Sequence, residues 1–482
     1  MTNNDCETVG LGIYTYERKK KPAMSDEMNL KKHSQDRLGT KKVGALLLEF
    51  SIPATIGMVV NAIYNIVDRI FIGNAKGLET LGLSALTVSF PIMMIMMGMA
   101  LMFGAGGASL FSIRMGQKDR DGAEKILGNS ITMILLTSFL FMVVALIFLE
   151  PLLKVFGATE ESMPYAIEYM RIILYASILQ GPSVGMNHFM RADGSPKTAM
   201  VSMFIGAGFN IVFDYVFIFI FNMGMTGAAL ATIGGQGLSA IWGISYFISK
   251  RSNMKLRIKN MKLKSEVVKR TALAGLPSFA NQVSASFLNL ILNNSLGRYG
   301  GDVAIGAMGA ISSLQQLLVL PTIGISQGAQ PIIGYNKGAG NYLRIKETLG
   351  KAILSATIVA SLGYIVTRLF PGALIGIFGK GEELREFGTH AIGIWMLLLP
   401  TIGTQIVGSL YFQAAGKPKI SLFLTLTRQI IFLIPLILIL SSIFGLNGIL
   451  MAAPISDGVA FTLTGICLLV ELRKLTALEH SK

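Results

Sequence analysis

Several carboxylates and amides stand inside stretches that are otherwise apolar, and their spacing limits what they can do. Asn61, Tyr64, Asn65 and Asp68 fall at i, i+3, i+4 and i+7 of one stretch, which sets all four on one face of a helix. A second stretch carries Asn210 and Asp214 one turn apart, within Gly208-Phe-Asn-Ile-Val-Phe-Asp-Tyr215. A third carries Thr232, Gln236 and Ser239 at i, i+4 and i+7. An ionisable group at mid-bilayer costs about 2.5–3.5 kcal/mol on insertion scales, so each needs a reason. Two acids flanked by neutral oxygens can take up a proton, or hold a small hard cation such as sodium. For Asp68 the plainer alternative is an ion pair with adjacent Arg69 near the outer interface. Asp214 has no basic residue within a helical turn.

The elements that must position these groups are membrane spans. The chain has 482 residues, 52% hydrophobic and 14% charged, with mean hydropathy +0.58. A soluble chain carries about 25% charged residues. The apolar blocks here run to about 20 residues or more, enough for a helix to cross a bilayer. Soluble enzyme, nucleic-acid binder and disordered scaffold are excluded, and the fold class is an all-α integral membrane protein. Twelve spans are predicted, at 46–72, 81–113, 126–149, 163–190, 198–221, 225–249, 271–297, 303–335, 347–369, 386–413, 420–443 and 447–470. Prolines inside them, among them Pro53, Pro91, Pro182, Pro277, Pro321, Pro400 and Pro435, predict kinks.

Orientation follows from positive charge, which is retained on the cytoplasmic side. With the N-terminal tail inside, 33 Lys and Arg lie in inner segments or at inner span ends, and six lie in outer connections or at outer span ends: Lys76, Lys154, Arg298, Arg368, Lys380 and Arg385. Both termini are therefore expected in the cytoplasm. Residues 1–43 read as a basic tail rather than a signal peptide, since no apolar stretch follows Arg18-Lys19-Lys20-Lys21 or Lys31-Lys32 within it. Cys6 and Cys467 are not expected to pair.

A basic stretch at 251–270 bisects the chain, and the two sides repeat. Ile52-Pro53 recurs as Leu276-Pro277, and Gly73, Gly77 and Gly82 recur as Gly297, Gly301 and Gly306. Arg191-Ala-Asp-Gly-Ser-Pro-Lys197 recurs as Gln413-Ala-Ala-Gly-Lys-Pro-Lys419, and Gly224 and Gly227 as Gly445 and Gly448. The expected domains are an N-lobe over 44–250, the linker 251–270, a C-lobe over 271–472 and a tail over 473–482. Six spans per half make the repeat parallel, as in carriers that bind substrate between two lobes at mid-membrane.

The repeat is also an internal control. At matching positions, Asp68 becomes Leu292, Asn210 becomes Phe432, Asp214 becomes Leu436 and Thr232 becomes Ala453. Groups needed only to hold the fold together should recur, and these do not. The acidic cluster reads as functional and specific to the N-lobe. The C-lobe has an uncharged stripe, Gln282, Ser286, Asn289 and Asn293, which is expected to hydrogen-bond between helices or to line a substrate path. Asp457, with no polar neighbour in register, ranks second, and Glu49 reads as interfacial. The run Pro91-Ile-Met-Met-Ile-Met-Met-Gly-Met-Ala-Leu-Met102 suits either a lipid-facing surface or an adaptable apolar pocket. His188 and His390 stand apart and are expected to be solvated or hydrogen-bonded. No Walker A, His-Glu-x-x-His or Gly-x-Ser-x-Gly motif occurs, so neither cofactor nor metal is expected.

These residues resemble the MATE (multidrug and toxic compound extrusion) family, in particular its bacterial MepA-like branch. The resemblance rests on Asn65-Ile-Val-Asp-Arg-Ile-Phe-Ile-Gly73, the twin Ala-x-Gly-x-Pro-Lys segments and Gly227-Ala-Ala-Leu-Ala-Thr232, and runs from about Leu46 to Leu472. It implies two six-helix bundles around a central cavity, and efflux of cationic amphiphilic compounds in exchange for protons or sodium, by a monomer in the cell membrane. It also implies an ion site at Asp68, Asn210, Asp214 and Thr232, and a hinge at Pro53. The absence of a carboxylate from the seventh span argues against a C-lobe sodium site. A lipid-linked saccharide flippase of the same superfamily is the alternative. It would line its cavity with bases, whereas only Arg171 and Arg428 lie deep in spans here.

Overall fold

The computed structural model describes residues 37–75, 78–378 and 381–480, so most of the tail expected over 1–43 lies outside the described residues. All regular structure among them is helical. The first half comprises α1 (Val43–Asn74), α2 (Glu79–Gly116), α3 (Arg120–Ile147), the short α4 (Leu149–Val155), α5 (Met163–Tyr175), α6 (Ser177–Ala192), α7 (Pro196–Tyr215) and α8 (Gly224–Ile248). A 3₁₀ turn at Ile258–Met261 leads to α9 (Ser265–Gly338), α10 (Tyr342–Leu369), the short α11 (Pro371–Gly376), α12 (Glu382–Trp395), α13 (Leu399–Ala414), α14 (Pro418–Leu426) and α15 (Ile434–His480). Wider π turns follow α7 at Val216–Ile220 and α14 at Thr427–Leu433. Among the described residues seven stretches are long and apolar enough to cross a membrane, or eight with the pair α12 and α13, bent by 50°.

The same local chemistry builds both halves. Asp119 and Asn341 cap α3 and α10, each accepting from the backbone N–H three residues on. Pro196 and Pro418 occupy the first turns of α7 and α14, where a missing N–H costs nothing. Gly194 and Gly416 precede them with φ of +90° and +75°. The longest helices, α9 and α15, are each broken at a glycine with positive φ, Gly301 (+62°) and Gly445 (+58°). The stretches predicted as single spans at 163–190 and 386–413 are each two helices, interrupted at Ala176 and at Met396–Leu398.

Two boundaries differ from the sequence reading. α9 begins at Ser265, inside the expected linker, and its polar first turns carry an exposed ion pair between Glu266 and Arg270. α15 runs to His480 through the expected C-terminal tail, held by Lys346 on α10, which reaches Glu479 at 2.7 Å.

The halves meet through small residues, which let membrane helices approach to backbone contact. A Cβ on Gly275 of α9 would lie 1.7 Å from the Met102 carbonyl oxygen of α2, and one on Gly106 would lie 2.4 Å from the Gly275 nitrogen. α1 meets α9 in the same way, with Gly324 against Thr55 and Gly328 against Ser51. These contacts fall within 51–55, 102–106, 275 and 324–328. Toward the other ends of α1 and of the first part of α9, Ile63, Ile66, Ile70, Phe287 and Tyr299 are exposed.

Candidate ion and substrate site

α1 packs on α7, and α7 on α8, so the three polar stripes meet within one half. Asp68 is 8% exposed, Asn210 2% and Asp214 0%. The Asn210 amide donates to the Thr232 hydroxyl at 3.3 Å. One oxygen of Asp68, both of Asp214 and the amide oxygen of Asn210 are buried with no hydrogen-bond partner in the protein. Asp68 and Asp214 interact electrostatically with each other, and Tyr64 and Tyr169 feel both. Tyr64 lies beside Asn65 and Gln236. Burying a carboxylate without donors is costly enough that such groups bind a proton or a cation instead. The cluster is thus a cage of acceptors with hardly any donors of its own, chemistry that suits a proton or a small cation.

The backbone below the cage is shaped by aromatic packing. Phe209 and Phe213 stack at 4.0 Å, Phe217 and Phe221 continue the series, and Phe209 closes over Gly234 of α8. The π turn after Asp214 widens the helix just where the site lies, a distortion often found at functional positions.

Asp193, in the turn before α7, shows what a structural acid looks like in this chain. It is fully buried but accepts from the Tyr246 hydroxyl at 2.7 Å and from the backbone N–H groups of Asn253 and Met254. Burial still pushes its carboxyl up to about 7 against those donors. Asp214 has no such donor set.

Several sequence expectations change in three dimensions. Arg69 does not pair with Asp68; its guanidinium sits 5.9 Å from the Phe90 ring centre. Asp457 is not isolated, since Arg428 Nε donates to it at 2.8 Å from a different helix; Ser456 donates to the Arg428 carbonyl, and Gln405 of α13 donates to the Asp457 carbonyl. Arg428 is thereby neutralised, and Arg171 is exposed on α5. His188 is not solvated: it is buried with Nδ1 unpartnered, near Arg191 and Gln330, whereas His390 meets Asn447 at 3.3 Å. Residues 91–103 are buried or half-buried, and Met94 receives the amide of Gln282 from α9. Gln282 is thus the stripe member that bonds between helices. Asn289 is exposed and donates to its own helix at the Ala285 carbonyl, as exposed Asn65 does at Asn61. Glu49 is held by Arg37 and Lys41 at the start of α1. Pro53 is buried in α1, which runs unbroken through it.

Tyr169 is not legible from the sequence as a site residue. It stands alone on α5 with no polar stripe around it, and only the packing of α5 on α8 brings it to the carboxylates.

Comparison with known proteins supplies a family. The model of the MatE family matches residues 53–216 and again 277–439. The multidrug export protein MepA of Staphylococcus aureus (strain MRSA252) is 27% identical over 413 residues, 85% of this chain and 90% of that protein. MepA of Staphylococcus haemolyticus (strain JCSC1435) is 27% identical over 415 residues, 86% and 90% respectively. Among solved structures, the MATE multidrug transporter DinF-BH is 40% identical, with TM-score 0.85 over 91% of this chain and 98% of its own. An outward-facing multidrug resistance MATE family transporter shares the fold, at 24% identity and TM-score 0.84 over 92% of this chain and 98% of its own.

Proposed function

This chain belongs to the MatE family, and on that premise we propose that it is a secondary active multidrug efflux transporter, not an enzyme, that exchanges lipophilic cations for protons or sodium. The observation that carries the coupling is the set of buried, unpartnered oxygens on Asp68, Asp214 and Asn210. An ion bound there neutralises the carboxylates; a cationic substrate entering the lobe competes for the same negative charge. Exchange then follows from electrostatics, without contact between the two ligands. Asn210 and Thr232 supply neutral oxygens, while Tyr64, Tyr169 and Gln236 border the cage. Asn61, Asn65, Gln282 and Asn289 are the polar groups we assign to the substrate path. Pro53 is the position in α1 suited to bending, because it removes a backbone hydrogen bond.

The architecture we propose is twelve spans in two parallel six-helix repeats. The double match of the family model, beginning at Pro53 and again at Pro277, supports it. So do the paired caps, glycines and helix breaks. In this reading α5 with α6 and α12 with α13 are single broken spans, and α9 and α15 are two spans each. The glycine-lined contacts close the cytoplasmic side and leave the lobes parted outward. The protein acts as a monomer in the cell membrane, both termini inside.

Two experiments test this reading. Cysteines placed at Lys259 and Glu382, with Cys6 and Cys467 replaced by serine, are expected to react with an impermeant thiol reagent on intact cells at 382 only. Labelling of 259 and not 382 overturns the orientation. Cells making the protein are expected to accumulate several-fold less ethidium than cells without it. Unchanged accumulation of ethidium and of quaternary ammonium dyes, at verified expression, counts against cation efflux.

A further inference from the structure

We propose that residues 257–264 form a dock for anionic phospholipid headgroups on the lipid-facing side of α3. The backbone of this segment is pinned to one face of α3. Asn129 donates to the Asn260 carbonyl at 2.9 Å and accepts from the Lys264 N–H at 2.7 Å, and Thr132 donates to the Met261 carbonyl at 3.0 Å. Gly128 is what allows this approach, since a Cβ there would sit 2.3 Å from the Asn260 carbonyl oxygen.

That face of α3 continues as a stripe. Leu136, Phe139, Leu140, Val144 and Ile147 follow Asn129 and Thr132 at helical spacing, and all five are 46–68% exposed. A large apolar stripe open to the outside of a membrane protein is covered by lipid tails. The pinned segment therefore lies where the tails end and the headgroups begin.

With its backbone turned inward, the segment presents a basic and apolar surface outward. Ile258 is 88% exposed and Leu263 43%, and Lys259, Lys262 and Lys264 are exposed among them. Nearby acids are already engaged: Glu124 by Arg257, Asp121 by Lys125 and Glu266 by Arg270. Apolar tips that reach the acyl boundary, between lysines that stay at phosphate level, match an anionic leaflet.

The test places a reporter at the tip. Ile258→Trp protein is reconstituted in vesicles of phosphatidylcholine with phosphatidylglycerol, one lipid at a time carrying brominated chains that quench tryptophan on contact. Quenching of Trp242 and Trp395, measured in parent protein, is subtracted. Each lysine near an anionic surface contributes about fivefold to association, so phosphatidylglycerol is expected to outcompete phosphatidylcholine by at least about fivefold. The preference should fall to near one in K259Q/K262Q/K264Q protein and at 1 M salt, where screening acts within about 3 Å. Equal quenching of the added tryptophan by both lipids in Ile258→Trp protein, or a preference unchanged when the three lysines are also replaced, overturns the dock. Inorganic phosphate erasing the preference when chloride of equal ionic strength does not would assign the lysines to free phosphate and also overturn it.

Discussion

Asp68→Asn and Asp214→Asn are expected to reduce gradient-driven efflux from reconstituted vesicles to the protein-free background, while thermal stability stays at or above that of the parent. The two halves of this result follow from one fact. Neither carboxylate is held by donors: one Asp68 oxygen and both Asp214 oxygens are buried and unpartnered. An acid in that condition does nothing to secure the fold, because desolvation of the charge exceeds what its surroundings return. Replacing it by a neutral amide removes a cost, about 1–3 kcal/mol on the scale of imperfectly compensated polar burial. It also removes the charge for which ion and substrate compete. Loss of transport with retained or raised Tm is the signature of a site built against stability. Parent-like efflux from the double variant, at equal protein, would place coupling elsewhere. A collapse of Tm would make the acids structural.

Asp457→Asn is expected to do the opposite, lowering stability by about 1–3 kcal/mol while coupling survives in the protein that remains folded. Arg428 would keep its charge beside a lost partner. Breaking a buried pair costs about 3–5 kcal/mol, and the Arg428 side chain, 27% exposed, recovers part of that by solvation. The double variant Arg428→Gln with Asp457→Asn takes out both charges and should regain most of the loss. Thermal unfolding of the purified proteins in one detergent measures all three. A single variant as stable as the parent, or a double variant less stable than the single, contradicts the assignment of Asp457 to the fold.

The N-lobe site is legible in the sequence because its chemistry is written along each helix. Asp68 shares a face with Tyr64, Asn210 with Asp214, and the second half of the repeat lacks all four of the ion-site groups. Which partner a side chain meets on a second helix is less legible. Asp457 looks isolated in sequence because its partner is on another span, 29 residues away. His188, expected to be solvated or hydrogen-bonded, is instead buried with Nδ1 unpartnered, beside residues such as Gln330 that are remote in sequence. Of the two roles open to Asn289, bonding between helices or lining a path, the first does not hold, since its amide is satisfied one turn back on its own helix. Of the irregularities in the spans, the breaks at Gly301 and Gly445 are signalled by glycine, and the break at 396–398 by Pro400, which has no N–H to donate to the carbonyl four residues back. The break at Ala176 has neither residue at it; Pro182 lies in the helix that follows.

In the proposed mechanism a cationic substrate and the coupling ion compete for Asp68 and Asp214. The most direct test is the affinity of purified protein for tetraphenylphosphonium, measured calorimetrically in sodium-free medium across pH and then at fixed pH across sodium concentration. Competition at a shared site requires affinity to fall as the competitor rises, approaching tenfold per tenfold increase in the ion that couples. That slope is expected for protons or for sodium in the parent, and its disappearance in the Asp68→Asn, Asp214→Asn double variant. Affinity indifferent to both ions in the parent, or the same slope retained in the double variant, would contradict it.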